Sequence, residues 1–209
     1  MRKESRRQSD FNMTSRMGNS YNEALRLAIR IHDGQERKKT NIPYVTHLVA
    51  VSELVLRYGG DEEQAIAGLL HDAVEDGDSA TNWEHEIRER FGERVRRIVM
   101  DCTDGVPDES GDKGDWKQRK ERYVAHLSEV AIDSLLVSAA DKLHNLSCIR
   151  CDLEEIGMRV FDRFSASTGE TMWYYRSLIG AFDVRGVSEP LMMRLRAEYA
   201  ACEKHMRKR

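Results

Sequence analysis

Four residues in this chain have the types that hold a divalent cation: His47, His71, Asp72 and Asp141, two imidazoles and two carboxylates. A cation bound by nitrogen and oxygen ligands with positions left open can polarise a phosphoryl oxygen and lower the pKa of a water, which is what phosphoester hydrolysis needs. Glu75 and Asp76 follow His71-Asp72 closely and supply acids that can manage a water proton. If the helix persists there, Asp72, Glu75 and Asp76 lie on one side of a turn, where their mutual repulsion calls for a cation or for solvent. Asp141 interrupts an apolar stretch, LLVSAAD, where an unpaired charge costs several kcal/mol, and Asn145 lies one turn later on the same face.

A His-Asp dipeptide alone is a weak signal, and the chain contains a second one, His32-Asp33. That pair is followed by Gly34 and Gln35, with no acidic partners, and reads as a helix end. His126 and His144 read as surface or supporting groups. The aromatic run Met172 to Phe182 reads as packing and receives no place in the site.

The helices that must carry these residues are legible as apolar stripes. The first runs from Tyr21 to His32, closed by Gly34, and a short basic stretch with Arg37, Lys38 and Lys39 follows. Pro43 opens a second helix through Arg57 that carries His47, and Gly59-Gly60 ends it. The greasy third helix, Glu62 to about Val74, delivers His71 and Asp72. Thr81 with Glu84 has the spacing of a capping box before a helix interrupted at Gly92. Helices are also expected over Trp116 to His126, over Ala131 to about Leu153, after the box Ser167-Glu170, and from Ser188 to the basic C-terminus. Residues 104 to 115 form a loop that is a candidate lid. No strand alternation appears, so the expected class is all-α, with about eight to ten helices in a single domain over 20–209 after a polar tail over 1–19.

With 33 basic and 36 acidic residues the net charge is −3, which supplies no cationic field for nucleic acid. No apolar stretch suits a signal peptide or a membrane span. Four cysteines without paired spacing point to a reducing cytoplasm.

The motifs HxxQxRKK (His32 to Lys39), PYxxH (Pro43 to His47), LLHDxVED (Leu69 to Asp76) and ADKLHN (Ala140 to Asn145) resemble the hydrolase domain of the RelA/SpoT family, especially its small stand-alone alarmone hydrolases. The resemblance spans roughly residues 20 to 183. It implies a compact helical HD-domain fold and one metal ion, typically Mn2+, on His47, His71, Asp72 and Asp141. It further implies a water-managing pair in Glu75 and Asp76, and nucleotide contacts from Arg37, Lys38, Tyr44 and Asn145. The implied reaction is hydrolysis of the 3′-pyrophosphate of guanosine tetra- or pentaphosphate (ppGpp or pppGpp). Hydrolysis of another phosphorylated nucleotide, such as a 2′-phosphorylated nicotinamide cofactor, and a dormant nucleotide sensor are the alternatives.

Overall fold

The computed structural model describes residues 17–105 and 114–207. These form nine α-helices and one 3-10 turn: α1 (Asn19–Ile31), α2 (Val45–Arg57), α3 (Glu62–Leu70), α4 (Ala73–Asp76), α5 (Trp83–Cys102), α6 (Trp116–His126), α7 (Ile132–Ile156), the 3-10 turn (Gly157–Arg163), α8 (Thr168–Arg185) and α9 (Glu189–Met206). The all-α expectation holds; the sole β pairing among the described residues is an isolated bridge between Glu36 and Pro43. The expected lid lies mostly outside the described residues, as do positions 1–16 of the expected tail. The helix begins at Asn19, two residues before the expected start, and Gly18 N–H anchors it by donating to Glu62 Oε1 at 2.9 Å.

α7 is the axis of the molecule. Leu135, Val137, Ala139, Ala140, Leu143 and Leu146 are all buried along it, and α2, α3, α5, α8 and α9 pack around it. A helix apolar on most sides belongs in the interior, so the polar residues it carries are drawn into the core with it. Charged struts tie its ends to its neighbours: Arg94 and Arg97 of α5 converge on Asp133, and Arg150 donates to buried Glu198 of α9 at 2.5 Å.

Three further helix boundaries differ from the sequence expectation. The capping box expected at Thr81 is absent, because Thr81 Oγ1 is engaged with the Asp78 carboxylate and Asn82 caps His85 N–H instead. α2 begins at Val45 rather than Pro43, since Pro43 is held in the bridge to Glu36. The third difference concerns the site directly: α3 stops at Leu70, and the chain turns at Asp72 (φ −98°, ψ 0°) before α4 restarts at Ala73. In an unbroken helix consecutive side chains diverge by about 100°. The turn allows His71 and Asp72 to face the same point.

α2 and α3 approach closely because Gly68 has no side chain. A Cβ there would lie 3.2 Å from Ser52 Cα and 3.3 Å from Ser52 N, backbone atoms that cannot move independently of α2. Gly68→Ala is expected to destabilise the fold by about 1–3 kcal/mol through overpacking. A melting temperature unchanged from wild type would show that α2 has slack to yield.

Candidate metal centre

The turn after α3 places His71 so that its Nδ1–H donates to Gly68 O at 2.8 Å, an unpaired helix-end carbonyl. With the proton fixed on Nδ1, the Nε2 lone pair faces the opposite way. On α2, His47 Nδ1 lies 2.8 Å from His144 Nδ1 of α7. Burial and the nearby His47 and Arg37 push the His144 pKa down to about 4, so His144 is a neutral acceptor and His47 the donor. His47 is thereby held in the same tautomer, with Nε2 free.

Both Nε2 atoms are buried and neither has a hydrogen-bond partner. They face carboxylate oxygens instead. His47 Nε2 lies 3.1 Å from Asp141 Oδ1 and 3.6 Å from Asp72 Oδ2, and His71 Nε2 lies 3.1 Å from Asp72 Oδ2 and 3.6 Å from Asp141 Oδ1. The donor atoms of His47, His71 and Asp141 all fall within 4.8 Å of one another, and Asp72 Oδ2 completes the ring beside them. Two orphaned imidazole nitrogens set against two carboxylate oxygens in a buried space are a donor set that fits a divalent cation.

The electrostatics of the ring without an ion follow from that crowding. Burial opposes ionisation of every member, yet the Lys142 ammonium and the His71 and His47 rings hold Asp141 well below the usual carboxylate range. His71 in turn rises well above 6.5, because Asp72 and Asp141 outweigh its burial; His47 is lowered, burial being its largest influence. Lys142 ion-pairs with Asp141 Oδ2, and Asn145 Nδ2 donates to Asp141 Oδ1 at 2.5 Å. Asp141 and Asn145, one helical turn apart on the same face, are thus in direct contact.

The acidic pair sits on α4. Tyr44 Oη donates to Asp72 Oδ2 at 2.7 Å and lies 3.3 Å from Asp76 Oδ2, which ties Asp76 to the ring. Glu75 is half-buried on the same short helix.

The basic stretch before α2 is built rather than loose. Arg37 N–H donates to Ile42 O, Tyr44 N–H to Gln35 O, and Thr40 Oγ1 to Arg37 O, while Lys39 takes a left-handed turn at φ 54°. This hairpin aims Arg37 Nη2 at Asn145 Oδ1, 2.5 Å away, with its guanidinium 5.6 Å from the Tyr44 ring centre. Lys38 is exposed and, among the described residues, joins no ion pair. Lys39 reaches the Asp162 carbonyl. Arg37, Tyr44 and Asn145 thus come together at the rim of the ring, and Lys38 is not brought to it by any contact.

His32 behaves as its sequence context suggested. It ends α1, is buried, and stacks on Tyr44 at 5.0 Å. Gln35 bridges its Nδ1 to the Asp76 carbonyl. Sequence reasoning missed Lys142 and the hydrogen bond from His47 to His144. Lys142 had a signal, a charge directly after Asp141 in an apolar helix; the link to His144 had none, being made across helices.

A helical core that gathers histidines and aspartates in this way points to a class of protein, and the comparisons place the chain in it. An HD-domain model matches residues 24–169, so the chain belongs to the HD-domain family. It is 38% identical over 136 residues to the guanosine-3′,5′-bis(diphosphate) 3′-pyrophosphohydrolase of Xenopus tropicalis, covering 63% of this chain and 71% of that protein. It is also 32% identical over 127 residues to the GTP pyrophosphokinase of Streptomyces coelicolor. There the match takes in 61% of this chain and 14% of that one, and the chain spans only 14–19% of the length of the longer relatives. A solved structure described as a metazoan orthologue of SpoT that hydrolyses ppGpp superposes with a TM-score of 0.68 at 25% identity, covering 90% of this chain and 97% of that one.

Because the facing Asp72 and Asp141 carboxylates raise the His71 pKa, an entering cation competes with a proton for that ring. The sign follows directly: divalent-cation affinity rises as pH is raised toward and through the elevated His71 pKa. Calorimetric titration near neutral pH in two buffers of different ionisation enthalpy is expected to show about one proton released per ion bound. Equal apparent enthalpies in the two buffers would contradict the elevated His71 pKa.

Proposed function

We propose that the protein hydrolyses the 3′-diphosphate of guanosine tetra- or pentaphosphate, giving pyrophosphate and GDP or GTP. The observation that carries this reading is the pair of orphaned Nε2 atoms facing the Asp72 and Asp141 carboxylates, with an acidic pair one turn away and a guanidinium at the rim. The named activities of the Xenopus protein and of the metazoan SpoT orthologue support the substrate. His47, His71, Asp72 and Asp141 would hold the cation, taken as Mn2+. When bound, it supplies Lewis acidity toward a phosphoryl oxygen and acidifies the attacking water.

The chain's own groups then account for the remaining steps. Arg37, planar and already close to the Tyr44 ring, offers a face against which guanine stacks, and Asn145 provides a neutral polar contact to the ribose. Lys38, exposed beside Arg37, adds positive charge for a phosphate arriving from solvent. Glu75 and Asp76 take the proton from water as its oxygen adds to the phosphorus next to the ribose. The bond from that phosphorus to the 3′-oxygen breaks, and the proton taken up by the acidic pair passes to the departing 3′-oxygen, which leaves as a hydroxyl. Tyr44 holds Asp76 beside Asp72, so the general base and the cation ligands keep a fixed separation.

The four cysteines are free thiols, and among the described residues no helix is long and apolar enough to cross a membrane. The free thiols support a reducing compartment, the cytoplasm.

Glu75→Gln and Asp76→Asn are each expected to lower kcat on guanosine tetraphosphate by about 10²–10⁴-fold with substrate affinity retained. Metal-stripped protein reloaded with Mn2+ and offered guanosine tetraphosphate, a 2′-phosphorylated nicotinamide cofactor and simple nucleotides should release pyrophosphate from the first. Single phosphate released from the cofactor alone would reassign the substrate, and turnover unaffected by the amide variants would remove the acidic pair from the mechanism.

A further inference from the structure

His32 and Gln35 take no part in the steps above, yet they form a hydrogen-bonded chain that ends on α4. His32 Nδ1 lies 2.8 Å from Gln35 Oε1, and Gln35 Nε2 donates to the Asp76 main-chain oxygen at 3.0 Å. A carbonyl oxygen only accepts, so the Gln35 amide has one orientation, with Nε2 toward Asp76 and Oε1 toward His32. That orientation fixes the ring in turn, and His32 donates from Nδ1. Burial lowers the His32 pKa, which keeps the ring neutral, and its other nitrogen, Nε2, is buried without a hydrogen-bond partner, so the single ring proton sits where it is bonded.

α4 needs such an outside hold. It has four residues, with backbone bonds from Asp76 N–H to Asp72 O at 2.9 Å and from Gly77 N–H to Ala73 O at 3.1 Å. A helix so short is not stable by itself. The Asp76 carbonyl is one of the helix-end acceptors that find no partner within the helix, and Gln35 supplies one. Gln35 is bonded through its main chain as well: its carbonyl accepts Tyr44 N–H at 2.9 Å, and Tyr44 Oη reaches both the Asp72 and the Asp76 carboxylate. Asp76 is thus held twice from one segment, at its main chain by Gln35 and at its side chain by Tyr44. Arg37 lies between these two residues in the sequence and closes the hairpin through its N–H on Ile42 O at 2.8 Å.

We propose that Gln35, oriented by His32, is a positioning residue that couples the hairpin carrying Arg37 to the general base, by setting where the Asp76 backbone and hence its carboxylate stand relative to the ring. The proposal deepens the reading given above and rests on it for the role of Asp76. A nucleotide seated on Arg37 and the acid that serves it then share one support, so the distance between them does not depend on how α4 alone would settle. Without the amide, α4 keeps only its two internal bonds and its contacts to α5, and Asp76 is left to the Tyr44 hydroxyl.

Gln35→Met keeps the side-chain length and removes both hydrogen bonds. In the full-length, Mn2+-loaded protein it is expected to lower kcat on guanosine tetraphosphate by about 10- to 100-fold, the scale of a misplaced reacting group, with KM and Mn2+ affinity close to wild type. His32→Asn, which keeps a donor at the position of Nδ1, should retain most of the rate, and His32→Phe, which keeps the ring on Tyr44 without that donor, should fall toward Gln35→Met. In an Asp76→Asn background Gln35→Met should cost little further, because its effect passes through that carboxylate. Full multiplication of the two losses overturns the proposal. So does an unchanged kcat in Gln35→Met, or a loss shared by kcat, KM and Mn2+ affinity, which marks a structural role only. Amide hydrogen exchange in the metal-free protein gives a readout that needs no substrate: Gln35→Met should speed exchange at the Asp76 and Gly77 N–H groups and leave α7 unaltered, and equal exchange at α4 in both proteins also overturns the proposal. Absence of guanosine tetraphosphate turnover in the wild type would instead count against the substrate assignment, and the exchange measurement would still decide whether Gln35 holds α4.

Discussion

Two carboxylates and two imidazoles share one buried ring, and without a cation they cannot all adopt the protonation state each prefers. Asp72 and Asp141 repel one another where water does not screen them, and the penalty for burying such charge is several kcal/mol per ion. The metal-free chain relieves this with what it has: His71 holds a proton and Lys142 leans on Asp141. A dication held there would neutralise both carboxylates at once and let His71 take the neutral form that His47 already has. Its affinity therefore comes partly from removing a strain built into the fold.

Much of the surrounding structure serves to prevent the ring from escaping that strain by moving apart. Gly68 lets α2 settle on α3, the break at Asp72 turns two consecutive side chains to one point, and α7 threads Asp141 through the core between them. The tautomers are fixed from behind, by the Gly68 carbonyl for His71 and by the His144 ring for His47. Such outer contacts matter because an imidazole free to flip presents an N–H where a lone pair is needed. Tyr44 plays a comparable part for the acids, gripping Asp72 while its ring rests on His32.

How much of this the sequence displayed depended on whether a residue contradicted its local surroundings. Asp141 in an apolar helix, and His71-Asp72 after AIAGLL, are charges where burial is expected, and contradictions of that kind are visible in one dimension. Asp72, Asp141 and most helices were legible on this basis, whereas the roles of Arg37 and Tyr44 came only from the resemblance of their motifs. The helix break at Asp72 was not, since LLHDAVED keeps a helical rhythm throughout and only tertiary packing selects the turn. Thr81 misled for a similar reason: the capping-box spacing was present, but Asp78 claimed its hydroxyl first. α6 reads as an ordinary solvated helix, WKQRKERYVAH, and nothing in that string shows that Lys120 meets Tyr174, fifty-four positions later.

That last contact bears on how the fold can distinguish its ligands. A ring of two imidazoles and two carboxylates does not by itself distinguish one phosphate ester from another, so under the proposed function selectivity would have to come from groups at its rim. On one side stands Arg37, fixed by a rigid hairpin and by Asn145, where a planar base can be recognised. Elsewhere Lys120 is held by Asp104, just after α5, and by the aromatic face of α8. The two cations belong to separate elements, α6 and the loop before α2, so each can vary without disturbing the ring on α2, α3 and α7. Under the proposed function, a helical core of this kind would serve different phosphate esters by exchanging side chains on elements that do not carry the ring.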